Sequence, residues 1–294
     1  MRALILLLLM IFVNALNATL AEEYCQIHHQ VLSSALHECS FILQDRWFVD
    51  SPLQLTPIEL ENLLISIQQE NQQQHLGLAT RPLFDLLWRH ERKFIGSLTP
   101  NILVISLDND QIPLEKDVFL RYWLKNTEQE PLRFLFPLWD LTEQGLTDIK
   151  ELRGKMSFNN LELLKKYHAP IVLIIHGDIE NDNIQARIFD LYTNNEAFSP
   201  ARTLKELLHF LRLFMIKHYA LPNSLETIQI TASRSFWTYQ SLEQMLLSMI
   251  EVESINPKEI TREHIVIDVK SHWRTRHWAI FRHIHPYLSI VDHD

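Results

Sequence analysis

The chain has 294 residues, a formal net charge of −9 and 47% hydrophobic residues, the composition of a globular protein with a substantial core. Its 36 acidic against 27 basic residues oppose the long-range attraction to phosphate on which nucleic-acid-binding proteins rely, so nucleic acid is not an expected partner. The 5 glycines are scattered, whereas phosphate-binding loops and the Gly-x-Ser-x-Gly turn of α/β-hydrolases need glycines at fixed spacing. We therefore expect neither nucleotide binding nor serine-hydrolase chemistry of that type.

The first segment has the features of an export signal. Arg2 precedes an uninterrupted apolar run at residues 3–13, and Thr19 and Ala21 are small residues that suit a signal peptidase. Because the run is shorter than the roughly 20 residues of a membrane-spanning helix, we expect a signal peptide at residues 1–21, cleaved after Ala21. The mature chain is then periplasmic or secreted and has no transmembrane span. An uncleaved anchor is the alternative, because residues 14–21 are only mildly polar.

Cys25 and Cys39 are the 2 cysteines of the chain, and an even number of cysteines in an exported protein suggests a disulfide. On one continuous helix they would stand about 21 Å apart, whereas a disulfide needs Cα atoms less than about 7 Å apart. The bridge therefore requires that the chain turns between them or that Cys25 precedes the helix.

Residues 22–78 are predicted to form a helical N-terminal segment. Apolar residues between positions 28 and 43 recur close to the period of a helix. Thr56 and Glu59 form a capping box around Pro57, which predicts the start of a second helix. The glutamine-rich residues 68–75 are the best candidate for a linker, with a frayed helix end as the alternative.

Residues 79–221 alternate between helical and strand patterns and are predicted to form a mixed α/β domain. Helices are expected at residues 82–92, 114–126, 160–167 and after Ser199-Pro200, and strands at residues 101–107, 132–137 and 170–176, with a returning hairpin arm from residue 184. Continuous apolar strands separated by helices indicate a mixed sheet covered by helices.

Residues 222–294 are predicted to form a C-terminal domain with the order βαββαβ, the ferredoxin-like arrangement. Strands are expected near residues 227–231, 252–255, 265–269 and 287–291, and helices near residues 239–249 and 272–281. Asn256-Pro257 is the expected turn between the two middle strands. The predicted fold class is thus α/β and α+β, with a helical N-terminal part, a mixed sheet covered by helices and a ferredoxin-like unit.

Three segments carry a family resemblance: "GSLTPNILVISLD", "LRFLFPLWDLTEQGLTDIKELRG" and "KKYHAPIVLIIHGDI". They resemble the exported proteobacterial proteins grouped as domain-of-unknown-function family 2066 (DUF2066), over roughly residues 80–215. The positions that fit the family pattern are Pro137, Leu138, Asp140, Leu141, Gly154, Tyr167 and Ala169, and those that depart from it are His168 and Pro170. The resemblance implies an envelope protein of no established activity. At the level of the fold, the chain is also similar to envelope assembly proteins that bind other proteins.

Asp140, Glu143 and Asp148 follow a predicted strand, at an end where α/β sheets often place their sites. Paired carboxylates there could serve acid–base catalysis, so a hydrolase that uses Asp140 is one hypothesis. The preferred interpretation is that Asp140 caps a turn or pairs with Arg153. Together with Trp139, which indicates a contact surface, these two residues form the candidate contact surface of the chain.

The tail contains His272, His277, His283, His285 and His293, which makes metal binding a further hypothesis. Histidines that share a helix face are three or four residues apart, so His272 and His277 diverge. His283 and His285 could share a strand face, but neighbouring arginines would repel a cation. A solvated surface helix with no metal and no cofactor is the preferred interpretation.

His168 and His176 flank an apolar strand, and Asp178 follows, a pattern that could begin an active site. As the two ends of one strand, the histidines would lie about 26 Å apart, too far to share a site. The sequence therefore favours a periplasmic envelope protein without catalysis that binds other envelope proteins or assists their assembly. The alternative is a periplasmic hydrolase or metal-dependent enzyme that uses Asp140 or the C-terminal histidines.

Overall fold

A computed structural model describes residues 22–27, 31–70, 73–107, 116–128, 130–146 and 158–291. The expected signal peptide with Ala21, and also Asp148, Arg153, Gly154 and His293, lie outside these residues. The structure belongs to the mixed α/β class that the sequence predicts. Within the described residues, no helix combines the length and the apolar character that crossing a bilayer requires.

Helices and strands are distributed along the whole described chain. The helices are α1 Leu32–Arg46, α2 Pro57–Leu63, α3 Thr80–Arg89, α4 Lys116–Thr127, α5 Leu141–Leu146, α6 Phe158–Tyr167, α7 Leu204–Tyr219, α8 Tyr239–Leu247 and α9 Thr275–Ile284. The strands are β1 Glu22–Ile27, β2 Leu64–Glu70, β3 Gln73–Ala79, β4 Asn101–Leu107, β5 Arg133–Leu135, β6 Ile171–Asp178, β7 Asn183–Asp190, β8 Asn195–Ser199, β9 Glu226–Ser233, β10 Val252–Ile260, β11 His264–Ser271 and β12 Leu288–Val291.

The chain forms two compact units. The first contains the described parts of residues 1–97, 220–274 and 285–294, and the second contains those of residues 98–219 and 275–284. These units cut across the predicted boundaries because N-terminal and C-terminal segments bind each other within the first unit. Arg81 Nη1 donates to the Ile250 carbonyl at 2.7 Å, and the Ser97 amide donates to Glu251 Oε1 at 2.6 Å.

An antiparallel sheet in the order β1-β3-β2 lies in the first unit. The helical prediction for residues 22–78 is therefore incomplete, since α1 and α2 are present beside three strands. The predicted linker at residues 68–75 is wrong, because its described residues extend β2 and β3. Leu76 and Leu78 are buried in β3, so packing and strand pairing outweigh the weak local preference of the glutamines.

Two local predictions for this unit can be followed to atoms. The capping box of α2 is confirmed, because the Thr56 amide donates to Glu59 Oε2 at 2.8 Å and the Glu59 amide donates to Thr56 Oγ1. Cys25 in β1 and Cys39 in α1 form a disulfide with a Cα–Cα distance of 5.5 Å. Cys25 thus precedes the helix, which is one of the two arrangements that geometry allows.

The first unit also contains an antiparallel sheet in the order β10-β11-β9-β12. The turn predicted at Asn256-Pro257 is wrong, because both residues lie inside β10 and pair with β11, and the chain turns after Ile260. Proline is tolerated there because β10 is an edge strand. The element order β9-α8-β10-β11-α9-β12 is the predicted one, but α9 belongs to the second unit, so the ferredoxin-like assignment stays a prediction.

The second unit contains a five-stranded mixed sheet in the order β5-β4-β6-β7-β8. Strands β5, β4 and β6 are parallel, and β7 and β8 continue antiparallel. The apolar core of β6 is buried throughout, as a continuous hydrophobic strand predicts. Gly177, the last but one residue of β6, has φ +96°, and a Cβ there would stand 2.2 Å from the Asn183 carbonyl oxygen. Asp178 then caps the hairpin turn by accepting the Glu180 amide at 2.9 Å.

One face of this sheet is covered by α6 and by the segment that follows β5. The buried residues of this core are Leu103, Ile105, Leu107, Leu163, Leu164, Ala169, Val172 and Ile174. Leu135, Trp139 and Tyr167 pack against them with part of their surface exposed. Residues far apart in the sequence, 139 and 167, are therefore held on the same apolar platform.

Candidate functional site

The carboxylate of Glu143 is the centre of a polar cluster on this platform. Glu143 is 0% exposed, although it lies in the short helix α5. Its Oε1 accepts hydrogen bonds from Lys166 Nζ at 2.6 Å and from the Tyr167 hydroxyl at 2.5 Å, and its Oε2 accepts one from the Trp139 amide at 2.6 Å. We call Trp139, Asp140, Glu143, Lys166 and Tyr167 the Glu143 hub.

The local sequence explains why this loop adopts its shape. Asp140 precedes α5, and its Oδ1 accepts the Glu143 amide at 2.8 Å, as an N-cap residue does. Trp139 stands at φ +54°, a left-handed backbone that large side chains rarely adopt. This conformation accompanies the bond from the Trp139 amide to Glu143, and Gln144 Nε2 donates to the Trp139 carbonyl at 2.8 Å. Both the amide and the carbonyl group of Trp139 are thus hydrogen-bonded.

The end of α6 ties this loop to the sheet. The Tyr167 hydroxyl accepts the Leu138 amide at 2.8 Å while it donates to Glu143, so its donor and acceptor capacities are both used. Lys166 Nζ also lies 3.4 Å from Asp140 Oδ2. The two consecutive residues at the end of α6 therefore hold the Leu138 amide and the Asp140 side chain directly, and they hold the Trp139 amide through Glu143.

The charges of the hub are stable at neutral pH. Burial raises the pKa of Glu143, but the hydrogen bonds from Lys166, Tyr167 and the Trp139 amide outweigh it and hold that pKa below its usual value. The pKa of Asp140 is lowered by the Glu143 amide, and the pKa of Lys166 is raised by its bond to Glu143. Burial and the bond to Glu143 raise the pKa of Tyr167 to about 12.

This arrangement is suited to holding a loop and poorly suited to moving protons. A general acid or base works best with a pKa near the operating pH, whereas both carboxyl groups here have lowered pKa values. Both oxygens of Glu143 already accept hydrogen bonds, and Asp140 caps a helix, as expected for a structural residue. Arg153, the predicted partner of Asp140, lies outside the described residues, so that pairing stays a prediction. Among the described residues, Lys166 Nζ forms an ion pair with Asp140 Oδ2.

Two leucines beside the Glu143 hub face solvent. Leu138 is 59% exposed and Leu141 is 88% exposed, whereas Trp139 between them packs partly against the sheet core. The contact surface predicted at Trp139 and Asp140 stays a prediction, and in the same loop Leu138 and Leu141 face solvent more fully than Trp139. The sequence signal for them is that two apolar residues, Leu138 and Leu141, lie close to the turn-forming Asp140 on either side.

His168 and His176 lie toward opposite ends of β6, where the sequence pattern places them. His176 lies at the end of β6, and His168 lies before its start, directly after α6 and at φ +49°. His168 instead meets a tail histidine, because its Nδ1 lies 2.8 Å from Nε2 of His283 in the last turn of α9. A separation of 115 residues in the chain hides this pair from any local pattern.

The remaining tail histidines have separate environments. His272 is buried in the first unit, with its ring 3.4 Å from that of Trp88, and burial lowers its pKa to about 4. His277 is buried in α9 beside Trp278, so the interpretation of this helix as a solvated surface helix is wrong. His285 lies 5.6 Å from the Trp237 ring. In the part of the chain that the structure describes, no three or more histidine, cysteine or acidic residues are placed to hold a metal ion.

Comparisons with known proteins add little to this geometry. No family model matches the sequence, and no curated protein matches it. A solved structure of TolB from Acinetobacter baumannii is similar over 48% of this chain and 34% of that one, with 11% sequence identity and a TM-score of 0.24. A TM-score that low carries no argument about fold or function. The resemblance to DUF2066 stays a prediction.

Proposed function

We propose that this chain is an exported protein of the periplasm or cell envelope that acts by binding another envelope protein, without catalysis. Its contact surface is the leucine pair Leu138 and Leu141 on the Glu143 hub. The observation that supports this most directly is an ordered loop whose polar groups bond inward while its two leucines face solvent. The signal-like residues 1–21 support the location.

The energetics of such a surface favour binding. Complete burial of a leucine side chain contributes about 1.5–3 kcal/mol, and a loop that is already fixed loses little conformational freedom on association. The hydrogen bonds of Tyr167 and Glu143 fix the loop before any partner arrives. The net charge of −9 makes a protein with an apolar patch a better partner than a polyanion.

Site-specific photocrosslinking in the envelope tests the contact. A photoreactive amino acid at Leu141 should give one discrete crosslinked product, and Leu138→Ser on the same chain should reduce its yield. The matched control is Ile58, which is 71% exposed in the first unit, where the same probe should give no such product. Equal crosslinking from both positions, or a yield that Leu138→Ser leaves unchanged, contradicts the proposed surface.

The location and the enzymatic alternative have separate tests. N-terminal sequencing of the mature protein should begin at Glu22, and an intact N-terminus would show an anchor instead. Asp140→Ala tests the enzymatic alternative. If the chain acts by binding, a folded Asp140→Ala protein should keep both the Leu141 crosslink and its function in cells. Loss of function with the crosslink retained would favour the enzyme.

A further inference from the structure

Two imidazole rings from distant elements converge in the second unit. Nδ1 of His168 and Nε2 of His283 lie 2.8 Å apart, with ring centroids 4.5 Å apart and ring planes at 73°. A neutral imidazole has one N–H donor and one lone-pair acceptor, so one of these two nitrogens carries a proton and the other offers its lone pair. The two rings therefore share one proton in a hydrogen bond, and the point between the two nitrogens is a position that a cation can occupy.

The backbone around this pair favours a positive charge at that position. His168 directly follows α6, and His283 lies in the last turn of α9. Both rings thus stand at the carboxyl ends of ten-residue helices, where unsatisfied carbonyl groups and the helix dipole attract cations. Asn101 Nδ2 donates to the His168 carbonyl at 3.1 Å, which fixes the backbone that holds the first ring.

We propose that His168 and His283 bind a late divalent transition-metal ion, Zn²⁺ or Cu²⁺, through two imidazole nitrogens, with water in the remaining positions. Metal–imidazole bonds of about 2.0–2.1 Å at a tetrahedral angle place two ligand nitrogens about 3.3 Å apart. The rings therefore need to separate by about 0.5 Å and to turn so that both lone pairs point to the ion and not to each other. His168 is exposed and His283 is half-buried, so this adjustment is open to the rings and water can reach the ion.

The surrounding charges are compatible with this site. A neutral imidazole offers the lone pair that a metal ion needs, and each of the two rings has a nitrogen at the meeting point. Lys165 is paired with Glu162 at 2.6 Å. Arg282 precedes His283 by one residue, about 100° around the helix, so it does not share the face of the ring. The repulsion expected from Arg282 is therefore weakened, and Arg276, about two helical turns before His283, lies over the Tyr219 ring with its Cζ 5.7 Å from the ring centroid.

Metal binding by the untagged mature protein tests the site. Competition with a chromophoric chelator at pH 7.5 should show one tight site for Zn²⁺ and, more tightly, for Cu²⁺. His168→Asn, which tolerates the left-handed backbone, and His283→Gln should each weaken binding at least about tenfold. His209→Gln on α7 is the matched control, since His209 is an exposed histidine of the same unit, and it should bind as the natural chain does.

Two outcomes would overturn the site. One is a double variant, His168→Asn with His283→Gln, that binds either metal as tightly as the natural chain. The other comes from nuclear magnetic resonance of the natural chain, which does not depend on any variant folding. Zn²⁺ added at substoichiometric amounts should first shift the ring nitrogens of His168 and His283, and a first shift at other histidines contradicts the proposal.

Discussion

Replacement of Glu143 by glutamine is the most direct test of the hub. A carboxylate accepts at both oxygens, and here Oε1 faces Lys166 and Tyr167 while Oε2 faces the Trp139 amide. A glutamine can accept at one position only, so in either orientation its NH₂ group faces a donor. Because Glu143 is buried, water does not repair the mismatch.

The size of the effect follows from the bonds that are lost. A hydrogen bond to a charged group contributes about 1.5–3 kcal/mol, and an unsatisfied buried donor costs about 1–3 kcal/mol. We expect Glu143→Gln to lower the free energy of unfolding by about 2–4 kcal/mol at pH 7, as measured by urea denaturation. The matched control is Glu162→Gln, which removes an exposed ion pair with Lys165 and should cost less than about 0.5 kcal/mol.

The pH dependence gives a second check on the same variant. The pKa of Glu143 is lower in the folded chain than its ordinary value of 4.5, so its contribution is complete above that pH and is lost as the pH falls further. The difference between the natural chain and Glu143→Gln should therefore shrink below pH 4.5. A Glu143→Gln protein as stable as the Glu162→Gln control at pH 7 would refute the hub as the element that fixes the loop.

Three further predictions concern the rest of the fold. The disulfide joins residues with a sequence separation of 14. Cys25→Ser with Cys39→Ser should therefore lower the free energy of unfolding by about 3 kcal/mol in urea denaturation. An unchanged midpoint would contradict this. Burial lowers the pKa of His272 to about 4. As the pH falls, His272 is protonated in the unfolded chain before it is protonated in the folded chain. The free energy of unfolding should therefore fall by about 3 kcal/mol between pH 6.5 and pH 4. His272→Gln should flatten this part of the profile, and an unaltered slope would count against the assignment. Gly177→Ala should cost more than about 2 kcal/mol through its clash with the Asn183 carbonyl, whereas a loss below about 0.5 kcal/mol would show that the hairpin relaxes.

Local chemistry made part of this fold predictable. The strand at residues 101–107 and the strand that begins at Ile171 follow from unbroken apolar runs. The start of α2 follows from its capping box, because one side chain and one amide three residues on are enough to define it. Asp140 as a cap residue is predictable for the same reason.

What the sequence does not reveal depends on partners far along the chain. The glutamine-rich residues pair with each other between β2 and β3, and β3 also pairs with β1, about fifty residues earlier in the chain. Glutamine has a weak strand preference of its own, so this sheet is not evident from the local sequence. Lys166 and Tyr167 reach Glu143 across more than twenty residues, and His168 reaches His283 across 115. Such contacts depend on how sheets and helices pack together, which a pattern of a few residues cannot encode.

The division of the chain between the two units has a consequence for biogenesis. The first unit combines the described parts of residues 22–97, 220–274 and 285–291, whereas most of the second comes from the described parts of one stretch, residues 98–219. A chain that emerges from its amino terminus can therefore fold most of the second unit while the first still lacks its sheet β10-β11-β9-β12. A truncation before residue 275 removes α9 from the second unit and β12 from the first. Loss of residues 275–294 should therefore destabilise both units.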